Sequence, residues 1–158
     1  MANTQAMCTS FMGELMTATH NFGVAPVRAV TTVDSFKAAL YLASATVNAS
    51  TTAYSVTNEV SGTGYTAGGV AVTMATVPTA TNSSATAGVA FVTPSSSITY
   101  TSVTLTTAFD AVLLYNSTQS NKAVSVHTFG SQTITAGTFT LTMPTNNTTS
   151  ALLRLATT

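Results

Sequence analysis

Asn58-Glu59-Val60-Ser61-Gly62-Thr63-Gly64-Tyr65-Thr66-Ala67-Gly68-Gly69 is the stretch on which the reading of this chain turns. Glycines at 62, 64, 68 and 69 surround a lone aromatic, and the block opens beside one of the few carboxylates, Glu59. Glycine reaches positive φ without steric cost, so this density predicts consecutive turns. Phe36-Lys37-Ala38-Ala39-Leu40-Tyr41-Leu42 before it alternates as a strand, with Phe36, Ala38, Leu40 and Leu42 on one face. Val70-Ala71-Val72-Thr73-Met74 after it alternates too. The block therefore reads as an ordered crossover between strands. Tyr65 is expected to fold back into the body, and Glu59 to accept backbone N–H bonds from the glycine turns. Positive φ is expected at one or more of Gly62, Gly64, Gly68 and Gly69.

Strand signals recur to the end of the chain. Ile98 and Tyr100 sit in one phase and Val103 and Leu105 in the other, which predicts a β-bulge or break near Thr101-Ser102. Phe109–Tyr115 is apolar on both faces and reads as the central strand. Asn116 to Asn121 makes a turn, Lys122 to Thr128 returns, and Phe129-Gly130 closes that strand. Thr133–Thr135 and Thr138–Met143 alternate hydroxyl and apolar residues, and Ala151–Ala156 is the last strand. Thr76 to Gly88 reads as the longest loop. Short strands with regular turn signals predict an all-β fold, an antiparallel β-sandwich of jelly-roll or immunoglobulin-like type.

The first residues differ. Met7, Phe11, Leu15 and Met16 recur at helical spacing and predict one N-terminal α-helix from about Thr4 to Asn21, ended by Gly23 and Pro26. The predicted division is an N-terminal helix or arm over residues 1–24 and a β-sandwich over 25–158. The apolar stripe either lies across the sandwich or docks on a neighbouring subunit, so Met7, Phe11, Leu15 and Met16 are the candidate subunit contacts.

Composition narrows the function classes. Charged residues are 5% of the chain, against about 25% in an ordinary soluble domain; Thr fills the gap, at roughly one residue in five. Four basic and four acidic residues cancel. No basic stripe exists to bind a phosphate backbone, and like-charge repulsion between copies is nearly absent, which favours homo-oligomers. Met1–Gln5 lacks the basic start and apolar run of a signal peptide, and no run of apolar residues is long enough to span a membrane. The expected site of synthesis is a cytosol, in which the protein stays or from which lysis releases it.

Catalytic and metal-binding patterns are lacking. The many serines, His20 or His127, and Asp34 or Asp110 assemble a triad only on paper, with no serine in a G-x-S-x-G elbow. Glu59 and Asp110 lack the polar surroundings of an acid–base pair. Cys8 is the single cysteine, and with two distant histidines it gives no metal-ligand spacing. Gly62-x-Gly64 is followed by a strand and no lysine, unlike a phosphate loop. The expectation is no enzyme, no cofactor and no metal.

The ordered set of Cys8-Thr9-Ser10-Phe11, Glu14-Leu15, His20-Asn21-Phe22, Phe36–Tyr41, the block 58–69, Leu114-Tyr115-Asn116, Phe129-Gly130 and Gly137–Thr140 leading to Pro144 resembles a family of small tailed-bacteriophage virion proteins. The resemblance covers most of the chain, with a longer gap at Arg28 to Asp34. It implies a non-enzymatic structural protein located in the virion. The expected role is capsid decoration or cement, with the major capsid protein or other virion proteins as partners. The alternative is a tail or fibre component that attaches to the host.

Overall fold

The structure, a computed structural model, describes residues 3–8, 11, 15, 19–22, 33–76, 78–81 and 89–156. Eight strands follow in chain order: β1 (Ala6–Met7), β2 (Phe36–Leu42), β3 (Val70–Val72), β4 (Thr79–Ala80), β5 (Val89–Val92), β6 (Ile98–Asn116), β7 (Lys122–Leu141) and β8 (Leu153–Ala156). They form two antiparallel sheets, ordered β1-β7-β6-β2-β3 and β4-β5-β8. The fold is all-β.

β6 lies at the centre of the larger sheet, as its doubly apolar sequence requires. From Phe109 to Tyr115 its side chains are almost all buried, and Ala38 to Tyr41 of β2 are buried on both faces beside them. Covering both faces of a strand removes the need for alternation, so Val112, Leu113 and Leu114 stand in an unbroken apolar run.

Two expectations about strand length are corrected. The segments read as separate strands at 98–105 and 109–115 are one strand, as are those at 122–128, 133–135 and 138–143 up to Leu141. Bulges absorb the phase changes, and at Thr101-Ser102 the expected bulge or break is a bulge. The pairing slips between Tyr100 and Val103, where Ser102 takes φ 54°, at the place where the sequence changes phase. Opposite, Ala136 takes φ 47° where Val103 pairs with Gly137 and Leu105 with Ile134. An extra residue shifts the side-chain phase without ending the ladder. Phe129-Gly130 does not close β7. Within the expected loop 76–88, Thr79–Ala80 is a strand paired with Ala90 and Phe91; residues 77 and 82–88 lie outside the described ones.

The helix expected from about Thr4 to Asn21 is corrected at its start; residues 9–10, 12–14 and 16–18 of that span lie outside the described ones. Ala6–Met7 is a strand edge, paired with Val126 and Ser125 of β7; of the described residues around it, only Phe11 and Leu15 have helical backbone. Side-chain contacts explain why strand geometry wins over helical spacing. Asn3 Nδ2 donates to Leu42 O and to Asp110 Oδ1, Asn3 Oδ1 accepts from Val47 N at 3.0 Å, and Cys8 N donates to Val124 O at 3.1 Å. These long-range bonds hold the segment extended against the sheet, and local propensity is too weak to oppose them. The expected boundary between residues 24 and 25 lies outside the described residues.

Further along, His20 and Asn21 are tied to the β6–β7 turn. Asn116 Nδ2 donates to Asp34 Oδ2 at 2.8 Å and lies 3.0 Å from His20 Nδ1; Asp34 Oδ2 also accepts Asn21 N at 2.8 Å. Phe22 stacks on Phe36 with centroids 4.6 Å apart and meets Phe11 edge-on at 5.7 Å.

Candidate functional site

The block 58–69 lies along the edge of β2 that β6 leaves open. Leu42 N donates to Asn58 O and Val60 N to Leu40 O, both at 3.0 Å, so Asn58–Val60 runs as a fragment of strand beside Leu40–Leu42. β3 covers Phe36–Ala38 of the same edge. Between the two fragments the chain departs, and Leu40 N would lack an acceptor. The Tyr65 hydroxyl supplies one at 3.0 Å. A buried N–H left unpaired costs as much as a lost hydrogen bond, so the phenol stands in for a strand partner.

The same hydroxyl donates to Glu59 Oε1 at 2.7 Å, which also accepts Gly68 N at 2.7 Å; Tyr54 OH donates to Oε2 at 2.7 Å. Glu59 is buried, with 7% of its surface exposed. Its carboxylate is held by three donors from three parts of the chain. Tyr41 OH donates to Ser55 O and accepts from Ser55 N at 3.2 Å. Tyr115 OH donates to Gly68 O at 2.8 Å and Tyr100 OH to Ala38 O at 2.7 Å. Tyr54 stacks on Tyr115 at 4.7 Å, and Tyr65 on Tyr100 at 5.8 Å. All five tyrosines of the chain thus meet around one carboxylate.

Electrostatics follow from that crowding. Burial pushes Tyr41 up to about 12, opposed by its bond to Ser55 and reinforced by the Glu59 charge. Burial first, then hydrogen bonds to Glu59, raises Tyr54 and Tyr65 well above the usual phenol range. Tyr100 and Tyr115 are raised by burial and by the Glu59 charge. The phenols stay neutral and act as donors to the carboxylate.

The glycines are placed by close backbone approach. Gly64, Gly68 and Gly69 have φ of 77°, 89° and 70°; Gly62 is not in that region. A Cβ at Gly69 would sit 1.7 Å from Ala38 O, and one at Gly62 would sit 2.1 Å from Thr104 O. Thr63 bridges Thr104 with Thr104 N donating to Thr63 O at 2.9 Å. The block therefore seals the edges of both β2 and β6. Tyr65 is half-buried and packed against the core.

Three of the four candidate subunit contacts lie against the chain's own core. Phe11 is 1% exposed inside its own domain, with His20 at 4.8 Å, so it is not available to a neighbour. Met7 and Leu15 are half-buried against the same core. These three line an apolar cavity of about 80 Å³ with Phe22, Phe91 and Leu153 among others. Met16 lies outside the described residues.

Sequence reasoning missed Tyr41, Tyr54, Tyr100 and Tyr115 as members of one cluster. Their spacing carries no signal; the only available one is that the chain's scarce carboxylates must find donors when buried. It also missed Ser125 Oγ, 2.8 Å from His127 Nε2. Ser125 is 2% exposed and paired with Met7 across the ladder. Burial lowers His127 to about 4. Ser125 is buried and His127 half-buried, and the imidazole is neutral. Among the described residues no three of His, Cys, Asp and Glu come together as metal ligands, and no helix is long and apolar enough to cross a membrane. The site's chemistry is that of a cross-brace.

The chain matches no protein-family model, and no curated protein or solved structure shows significant similarity to it.

Proposed function

We propose that the chain is a non-enzymatic structural protein of a bacteriophage virion, a capsid decoration or cement protein that binds the assembled head. One observation carries the non-catalytic part. Glu59, the ionisable group of the block on which the resemblance chiefly rests, spends both carboxylate oxygens on Tyr54, Tyr65 and Gly68. A block whose carboxylate, glycines and aromatic all serve internal bracing suits a rigid module that is used by being bound. The nearly uncharged, hydroxyl-rich surface supports close packing beside the major capsid protein and other copies.

In this reading the two sheets are the layers of a β-sandwich. Support comes from the cavity shared by Met7, Phe11 and Phe22 on one side and Phe91, Val92 and Leu153 of the smaller sheet on the other. A protein that binds only the assembled shell stabilises it by mass action. Adding purified protein to particles that lack it should raise their thermal rupture temperature, saturating at a copy number that scales with capsomers. Cryo-EM density on those particles should lie over the head. Density confined to the tail would replace this reading with the attachment component.

A further inference from the structure

We propose that the outer edge of β7, from Thr128 to Leu141, pairs antiparallel with the same edge of a second copy of this chain. The inference rests on the structural-protein reading for its biological setting, but its physical basis is separate. β7 pairs with β6 on one side along its length. On the other side its described strand partner is β1, and that contact ends at Val126. Beyond it, Gly130 to Thr133, Thr135, Ala136, Thr138 and Thr140 are exposed, and among the described residues no other strand pairs with this part of β7.

An open edge of this kind is a template for another strand, and monomeric proteins blunt such edges with lysine, proline or other charges. β7 does not. From Ala123 to Leu153 there is no Asp, Glu, Lys or Arg, and Pro144 lies beyond the strand end. The ladder to β6 slips at Ala136 and again between Thr128 and Gln132, which bends the edge but leaves Gln132–Thr135 and Gly137–Leu141 as strand on either side of Ala136.

The second copy fits because both faces of the strand are self-complementary. One face carries Thr133, Thr138 and Thr140. Thr140 Oγ1 already lies 3.4 Å from Thr99 Oγ1 on β6, so hydroxyl pairing of this kind is in use within the sheet. The other face carries Phe129, Ile134, Phe139 and Leu141, each only half-buried. Phe129 and Phe139 lie 4.8 Å apart and rest on Phe109 at 5.8 and 5.2 Å. A symmetry mate would cover these with its own copies of the same residues. Antiparallel pairing of one edge with itself closes a two-fold dimer. With no charge on either edge, the approach meets no like-charge repulsion. An edge of about 45 Å gives a contact of roughly 1,000 Å² in total, the lower bound of a specific interface. The dimer should therefore form and dissociate with concentration.

Sedimentation velocity on the isolated protein tests this. Wild type should shift from monomer to dimer with rising concentration. The double variant Thr133→Lys with Thr138→Lys sets like charges across the paired edges and should stay monomeric, with an unchanged circular dichroism spectrum. The control Thr101→Lys with Thr106→Lys adds the same charge at exposed positions of β6, the inner strand, and should dimerise like wild type. Wild type that stays monomeric throughout, or a β7 variant that dimerises as well as the control, would overturn the proposal. No particle enters the measurement, so failure to bind capsids counts against the decoration reading alone.

Discussion

Replacing Glu59 tests whether the tyrosine cluster is the brace that the geometry describes. Three donors converge on its carboxylate at 2.7 Å each, from Tyr54, Tyr65 and the Gly68 backbone. Hydrogen bonds to a charged group contribute about 1.5–3 kcal/mol each, and a buried donor left without an acceptor costs about 1–3 kcal/mol. Glu59→Ala removes the acceptor from all three. Tyr54 is half-buried and recovers part of its loss by turning to water, whereas Gly68 N and Tyr65 OH lie deeper. Relief of the carboxylate's own desolvation offsets a further part. The net expectation for Glu59→Ala is a loss of about 3–5 kcal/mol, a large share of the roughly 5–15 kcal/mol that holds a domain folded. Glu59→Gln keeps an oxygen for Tyr65 and Gly68 and turns a donor toward Tyr54, whose hydroxyl can rotate to accept it. Its cost should be about 1–2 kcal/mol. Urea unfolding followed by tyrosine emission measures both. The chain has no tryptophan, so the signal comes from the clustered residues themselves. The denaturant slope should be unchanged, so that midpoints compare directly. If Glu59→Ala unfolds within about 1 kcal/mol of wild type, the carboxylate is not the centre of the brace.

Gly69→Ala should prevent recovery of folded protein, because its Cβ would overlap Ala38 O at a φ of 70°. Gly130→Ala, with nothing within 4 Å, should leave the thermal midpoint nearly unchanged; equal behaviour of the two in a thermal melt would refute the close-approach argument. Stability should also fall at both pH extremes. His127 is lowered from 6.5 to about 4, so its contribution is present above pH 6.5 and is lost as pH falls through 4. After allowing for its partial exposure this is on the order of 2 kcal/mol, and His127→Gln should flatten the acid limb in urea titrations at stepped pH. Tyr41 is raised from 10 to about 12, so its contribution is present below pH 10 and is lost as pH rises through 12. Tyr41→Phe should soften the alkaline limb in the same titrations.

Much of the β-sheet was legible in the sequence, because strand pattern depends on which side of a residue faces water. Phe36–Leu42 alternates and is β2 over that span; Phe109–Tyr115 is apolar throughout and lies in the middle of the sheet. The phase change at Thr101-Ser102 marked a bulge because the side-chain period of a strand is two and one added residue reverses it. Glycine density at 62–69 marked turns because few other residues tolerate positive φ. Tertiary structure alone decided the rest. Whether a bulge ends a strand or merely bends it depends on the partner strand continuing, and so β6 and β7 run on where the sequence pointed to breaks. Met7 sits in a strand despite helical spacing, since Asn3 and Cys8 find their hydrogen-bond partners dozens of residues away. Tyr54 and Tyr65 bond to Glu59, and Tyr41, Tyr100 and Tyr115 to nearby backbone oxygens, for the same reason. Each needs a polar partner once it is buried, and which partner lies within reach is a property of the folded chain, not of spacing along it.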